Sequence, residues 1–257
     1  MSSERLTERD GAVLHVTFNR PDHRNAMTFA MYDGVVAACE QVEDDDSIRA
    51  MVLRGAGDKA FVAGTDISQF IVFQSGADGV AYEERISEVV DRLEALRVPT
   101  IAAIRGYCVG GGLILAAACD LRIATPDSRF GVPVAKTLGN CLSMNSYSLL
   151  VHHLGPARTM DLLLRARFLT GQEAHAAGFV AELCHDDEVD DVVDDTIRTI
   201  LGHAPLTMWA TKQAIRRLRK AQVPPGDDLV ETVFGSQDFR AGVVAFGEKR
   251  SVSWTGR

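Results

Sequence analysis

Between residues 12 and 18 (AVLHVTF) apolar side chains fall on alternate positions, the two-residue period of a strand with one buried face. Asn19-Arg20-Pro21-Asp22 then supplies turn chemistry, and the spacing becomes helical from about Thr28, a suitable N-cap, to Val42. An acidic patch, Glu43 to Asp46, leads to a second strand, Arg49 to Arg54, closed by Gly55-Ala56-Gly57-Asp58. Phe61 to Ile67 is a short apolar segment broken by Gly64 and followed by Asp66, which predicts strand, tight turn and helix start. Residues 74–80 (QSGADGV) read as a mobile loop, and an amphipathic helix from Tyr82 to Leu96 is ended by Pro99. Thr100 to Ile104 is an apolar strand. It leads through Gly106 and three consecutive glycines (Gly110, Gly111, Gly112) into an alanine-rich buried helix that stops at Asp120, with a further strand behind it.

Two strands and a helix therefore recur with variation. This predicts an α/β fold of ββα units around a common core, in place of the strict βαβα alternation of a doubly wound sheet. From Ser146 onward the pattern is helical: Ser146 to His153, Pro156 to Arg165, Thr170 to Ala177, Asp186 to Leu201, Pro205 to Lys220 and Asp228 to Glu248. Thr170-Gly171-Gln172-Glu173 has the form of a capped helix entry. The basic run Arg216, Arg217, Arg219, Lys220 reads as a solvated helix face.

Composition narrows the function without choosing it. The 257 residues are 46% hydrophobic, enough for a sizeable core. A net charge of -8 disfavours nucleic acid and anionic membranes as partners. A polar N-terminus (MSSERLTERD) and the lack of a long apolar run predict a cytoplasmic protein. Five scattered cysteines (Cys39, Cys108, Cys119, Cys141, Cys184) form no C-x-x-C pair and read as buried reduced thiols, and no histidine spacing suggests a metal.

The chemistry concentrates in the glycine turn. Glycines at a helix start let backbone approach a ligand closely, and the unpaired N–H groups of the first turn are donors for developing negative charge. Tight packing of the turn is the competing reading of the same three residues.

Taken with other segments, the turn resembles the crotonase superfamily, the enoyl-CoA hydratase/isomerase proteins. The resemblance rests on NRPDHRNAMT (19–28), GAGDKAFVAGTDI (55–67), IAAIRGYCVGGG (101–112), LTGQEAHAAGFV (169–180) and the terminal segment from Phe234 to Arg250, and it spans nearly the whole chain. It implies a spiral of ββα turns with a C-terminal helical trimerisation region: an acyl-CoA-binding core over 1–195, and helices over 196–257 packing on the core and on neighbouring subunits. It also implies an acyl-CoA substrate, a homotrimer or dimer of trimers, and no cofactor beyond the coenzyme A carried by the substrate.

The family's chemistry is stabilisation of a thioester enolate by two backbone N–H groups, which map here onto Thr65 and Gly111. For the substrate the resemblance points to Arg24 near the phosphates and to Ala63, Asp66 and Ile67 for the adenine. Phe246 and Lys249, three residues apart and so on one helix face, complete the expected CoA contacts. Asp66 and Asp120 are expected to hold turns.

The sequence departs from the family at the proton-moving residues. The two hydratase glutamate positions carry Ile114 and Val134, and a third carboxylate position used by some relatives carries Leu142; all three are expected to line the substrate pocket. General acid–base help is worth about 10²–10⁴ in rate, so classical hydration is in doubt, and isomerase, decarboxylase or other acyl-CoA chemistry is open. Nearby polar residues are Lys136, Thr137, Asn140, Cys141, Ser143 and Asn145. Lys136 reads as a surface lysine or, if buried, a base; Cys141 reads as a core residue or a nucleophile. A catalytically silent acyl-CoA-binding protein is the alternative.

Overall fold

The computed structural model describes residues 4–221 and 223–257. Among the described residues ten strands form two sheets. The larger has the order β1 (Arg5–Asp10), β2 (Val13–Phe18), β3 (Ala50–Gly55), β5 (Thr100–Ile104), β7 (Leu121–Ala124), β10 (Glu182–Leu183). The smaller has the order β4 (Ala60–Val62), β6 (Tyr107–Val109), β8 (Arg129–Gly131), β9 (Leu169–Thr170). Successive strand pairs β3/β4, β5/β6 and β7/β8 each place one strand in each sheet, which is the ββα repeat expected from the sequence. Pairing is parallel except for the β1–β2 hairpin and β8–β9.

The central parallel strands of the large sheet are buried on both faces, as parallel strands require. Leu14, Val16, Met51, Leu53, Ala102 and Ile104 face the main core. Their alternates Val13, Ala50, Val52, Ile101, Ala103 and Ile123 face α7 (Val189–Leu201) through Val189, Val193 and Ile197. Into the main core pack α1 (Phe29–Asp44), α2 (Gly76–Ala95) and α3 (Gly111–Ala118). Thr28 caps α1 as expected, its side chain accepting the Met31 amide. Next come α4 (Val134–Thr137), α5 (Met144–Leu164) and α6 (Gly171–Ala176), which opens on the Thr170/Glu173 capping box.

Several boundaries differ from the sequence reading. The polar strand β1 pairs at the sheet edge, where a solvated strand shows no apolar alternation. Residues 76–80 are not a mobile loop. They form the first turns of α2, held by a capping box between Ser75 and Asp78. The glycines there serve packing on α9 (Asp227–Phe234): a Cβ at Gly76 would meet the Glu231 carbonyl oxygen at 2.0 Å, and one at Gly79 the Phe234 ring at 2.2 Å. The two helices expected at 146–165 run as one element, broken at Gly155 (φ 73, ψ 161) before Pro156. The single helix expected from 228 to 248 is two, α9 and α10 (Gln237–Gly247), because the chain breaks at Gly235 and Ser236 caps the second by accepting the Phe239 amide.

The expected division at 195/196 falls inside α7, whose buried residues before and after it pack on the same sheet. Nor is the basic run on α8 (Pro205–Lys220) wholly solvated. Arg219 is buried, paired with Glu94 and donating to Asn145 Oδ1 at 2.9 Å; Lys220 pairs with Asp91. Lys212 joins Asp120 at 2.6 Å, pinning α8 to the link between α3 and β7. Among the described residues no helix is long and apolar enough to cross a membrane.

Candidate active site

Two turns, one from each of two consecutive ββα units, meet at the C-terminal ends of β4 and β6. After β4 the chain reverses at Gly64 (φ 98), a left-handed conformation that favours glycine, and Thr65 enters a short parallel bridge with Met27. In that bridge the Met27 amide donates to the Gly64 carbonyl at 2.8 Å, and the Asp66 amide donates to the Met27 carbonyl at 2.8 Å. The N–H of Thr65, lying between these two bonds, is turned away from Met27. After β6, Gly110 (φ 55) caps α3, and its amide donates to the Gly131 carbonyl at 2.8 Å. Gly111 is the first residue of α3, so its N–H has no intrahelical acceptor. Among the described residues neither the Thr65 nor the Gly111 amide has a backbone acceptor outside the helix.

The close approach of the turns explains the glycine triplet. A Cβ at Gly110 would lie 3.5 Å from Gly64 Cα. One at Gly111 would lie 3.4 Å from Thr65 Oγ1 and 2.2 Å from Tyr32 Oη, and one at Gly112 would lie 2.3 Å from the Val62 carbonyl. Both readings of the triplet are realised: Gly112 is packing, and Gly111 admits another group while presenting its amide.

That other group is a phenol. Tyr32 on α1 and Tyr82 on α2 both bond the Thr65 hydroxyl, Oη to Oγ1, at 2.8 and 2.7 Å. Burial pushes both phenols well above the usual tyrosine range, so they are neutral hydrogen-bonding groups. Threonine at 65 thus ties three elements together through its side chain while its backbone stays available.

Thr65 and Gly111 line one cavity of about 130 Å³, with Ala63, Ile67, Val134, Leu142 and Phe246 among its walls. Of the residues expected at the substrate, these seven come together. Ile114 does not: its side chain is 1% exposed and packs in the main core. Asp66 is a turn residue, accepting the Ser68 amide and pairing with Arg20 at 2.9 Å; these bonds hold its carboxyl below the usual range despite partial burial. Asp120 likewise accepts the Thr100 amide and hydroxyl at 2.7 and 2.9 Å. Arg24 does not line the cavity; it is exposed, its guanidinium 5.1 Å from the Tyr107 ring centre and its carbonyl accepting the amide of the wall residue Ala63 at 3.1 Å. Phe246 is on α10, but Lys249 lies beyond the helix end at φ 54, so the two do not share a helix face.

Of the polar residues near the site, Lys136 is exposed on α4. Cys141 is buried, its Sγ donating to the Leu229 carbonyl at 3.8 Å and its thiol pushed up to about 12 by burial; it is a core residue. Thr137 and Asn140 line the cavity, and Asn140 Oδ1 is buried without a hydrogen-bond partner among the described residues. Asn145 is taken up by Arg219 and Asp91.

Among the wall residues that were not expected is a carboxyl group, Glu83. Glu83 on α2, beside Tyr82, is 4% exposed. Its Oε2 accepts the Ser143 amide at 2.7 Å, and no cation approaches it among the described residues. Burial pushes its carboxyl up to about 7, outweighing the bonds from Ser143. Its sequence context carried a signal: Glu83, Ile86, Val90 and Leu93 share one helical stripe, and the last three are apolar.

With this geometry in hand, comparison with known proteins defines the class. A family profile described as enoyl-CoA hydratase/isomerase matches residues 8–257. A Mycobacterium bovis protein named "Probable enoyl-CoA hydratase" is 33% identical over 256 residues, covering 98% of both chains. The crystal structure of an enoyl-CoA hydratase/carnithine racemase from Magnetospirillum magneticum superposes with a TM-score of 0.81 at 34% identity, covering 100% of this chain and 97% of the other. A methylmalonyl-CoA decarboxylase complexed with 2S-carboxypropyl-CoA superposes with a TM-score of 0.89 at 25% identity, covering 100% of both chains. The chain belongs to the enoyl-CoA hydratase/isomerase family, and its two sheets are the spiral of the crotonase superfamily.

Proposed function

We propose that this protein is an enzyme that converts an acyl-CoA thioester through an enolate held by the amides of Thr65 and Gly111. The observation that carries the reading is the convergence of two acceptor-free N–H groups, from separate turns, on one cavity with otherwise largely apolar walls. A thioester oxygen placed there gains negative charge when the α-carbon loses a proton or a carboxylate. Each fixed donor stabilises that charge by about 3 kcal/mol in a site of this kind. Ala63, Ile67 and Phe246 form the walls for the CoA arm, Val134 and Leu142 face the acyl group, and the exposed Arg24, bonded through its carbonyl to the Ala63 amide, is offered to the phosphates. The coenzyme A carried by the substrate is the only cofactor this chemistry needs.

Two-glutamate hydration does not fit. Position 114 is core and position 134 is a valine on the cavity wall, so neither can hold the attacking water. Isomerisation or α-decarboxylation, whose enolates need at most one proton carrier, suits the cavity better. The test is incubation of the purified protein with saturated, α,β-unsaturated, β,γ-unsaturated and malonyl-type acyl-CoAs in D₂O, followed by NMR. Deuterium at the α-carbon, or conversion of any member, is the expected result. Binding across the panel with neither exchange nor conversion would leave a silent acyl-CoA binder and overturn the proposal.

A further inference from the structure

We propose that Glu83 is the proton-transfer residue of this site, a single carboxyl that removes the substrate's α-proton and redelivers it. The proposal rests on the enolate reading above and assigns the group that reading leaves open.

The geometry selects Glu83 by position first. Among the described residues lining the cavity it is the one carboxyl, and no lysine, histidine or cysteine lines it. It enters from α2, whereas the departed family positions lie on α3 and after β8, so the acid–base function has moved to a different wall. Its anchoring suits transfer. The Ser143 amide, at the N-cap of α5, fixes Oε2, while no cation locks the carboxyl in its charged form. Ser143 is itself braced, its hydroxyl meeting those of Ser87 and Ser146 at 3.2 and 3.1 Å.

Glu83 also has a second side. It lines a groove of about 520 Å³ on the outer flank of α2, together with Ser87 and Ser143. Glu83 thus borders both the substrate cavity and the groove, which offers a captured proton a route of exchange that does not pass the two oxyanion turns.

The surroundings place its titration near neutrality. The groups facing it are Tyr32 on α1, Tyr82 on α2, Cys141 ahead of α5 and Tyr147 on α5, all made weaker acids by burial and therefore neutral. The charged groups along the groove are Glu84, Glu88, Asp91, Arg92, Arg216 and Asp227. A general base performs best when its acidity lies near the working pH, and burial sets Glu83 at about 7.

The step balances without a co-reactant. The Glu83 carboxylate takes the α-proton, and the C–H electron pair moves into the thioester, whose oxygen carries the charge beneath Thr65 and Gly111. The enolate collapses by taking a proton from the Glu83 carboxyl. Return to the α-carbon gives exchange; when a β,γ double bond is present, the α-proton is removed and a proton is added at the γ-carbon, which shifts the bond into conjugation.

The test compares wild type, Glu83→Gln and Glu83→Asp. Butyryl-CoA α-exchange and 3-butenoyl-CoA isomerisation in D₂O are followed by NMR, with acyl-CoA affinity measured by calorimetry. In wild type the rate should rise about tenfold per pH unit below neutrality and level above it. Glu83→Gln should lose at least about 100-fold in rate with affinity within threefold, and its residual rate should no longer level near pH 7. Glu83→Asp should recover part of the loss. A Glu83→Gln enzyme within threefold of wild type, with the same pH profile, overturns the proposal while leaving the enolate reading intact. A wild type that binds acyl-CoA and exchanges nothing removes both. If Glu83→Gln does not fold, a wild-type profile without an inflection near pH 7 is enough to reject the assignment.

Discussion

Removing the charge of Glu83 should make the protein more stable, by an amount that depends on pH. In the unfolded chain its carboxyl has the ordinary value of 4.5; in the fold burial raises it to about 7. Below 4.5 it is protonated in both states and contributes no pH dependence. Between 4.5 and about 7 the native state keeps a proton that the unfolded chain has released, so stability falls as pH rises through that window and levels above it. At about 1.4 kcal/mol per tenfold, the full cost is about 3 kcal/mol. Glutamine keeps an oxygen to accept the Ser143 amide and has no charge to bury, so Glu83→Gln escapes the penalty. Urea unfolding of both proteins at pH 5 and pH 8 measures this. The stability difference should move by about 2–3 kcal/mol in favour of the variant between the two pH values, and taking the difference cancels groups common to both proteins. A difference that stays constant within about 0.5 kcal/mol would show that Glu83 is not held protonated by its surroundings.

Further outcomes follow from the turns and helices around it. Gly111→Pro removes one oxyanion donor at a helix position where proline is tolerated, but its Cβ would strike the Tyr32 hydroxyl. Combined with Tyr32→Phe it should fold and lose about 10²–10³ in rate relative to Tyr32→Phe alone; equal turnover would remove Gly111 from the oxyanion hole. Thr65→Val leaves the buried Tyr32 and Tyr82 hydroxyls without their shared partner and should cost about 1–3 kcal/mol in urea unfolding. Gly76→Ala, which in an open helix would stabilise, should destabilise by about 1–3 kcal/mol because the new methyl meets the Glu231 carbonyl. Phe246→Ala, at a half-exposed position on the cavity rim, should raise KM several-fold and leave Tm nearly unchanged.

The sequence was most legible where backbone rather than side-chain contacts defines the site. Gly64 and Gly110 to Gly112 punctuate apolar runs, and the turns they mark do converge. It was least legible on α2. Gly76, Asp78 and Gly79 have loop composition, yet they are helical: Asp78 closes the capping box with Ser75, and the glycines are there because α9, about 150 residues further along the chain, leaves no room for a Cβ. Glu83 hides in the pair Glu83-Glu84, since a charged pair on an amphipathic helix reads as solvated surface; only its place on the apolar stripe sets it apart. Ile114 was misplaced for a different reason. A family position fixes the backbone, whereas the direction an apolar side chain takes depends on the core available to it. The break at Gly235-Ser236 is visible in retrospect as a helix C-terminus followed by an N-cap residue.

The seat of α2 on α9 bears on when the protein becomes functional during its own synthesis. The turns carrying Thr65 and Gly111 belong to the first half of the chain and can form as soon as the strands beneath them pair. The helix that carries Tyr82 and Glu83 is closed by Phe234, which packs with Phe70, Phe73 and Tyr82. A nascent chain still lacking its last thirty or so residues would hold the charge-binding turns beside an unsealed wall. Completion of the cavity awaits the arrival of α9 and α10, so a C-terminally truncated protein should misplace its buried carboxyl before it loses its sheets.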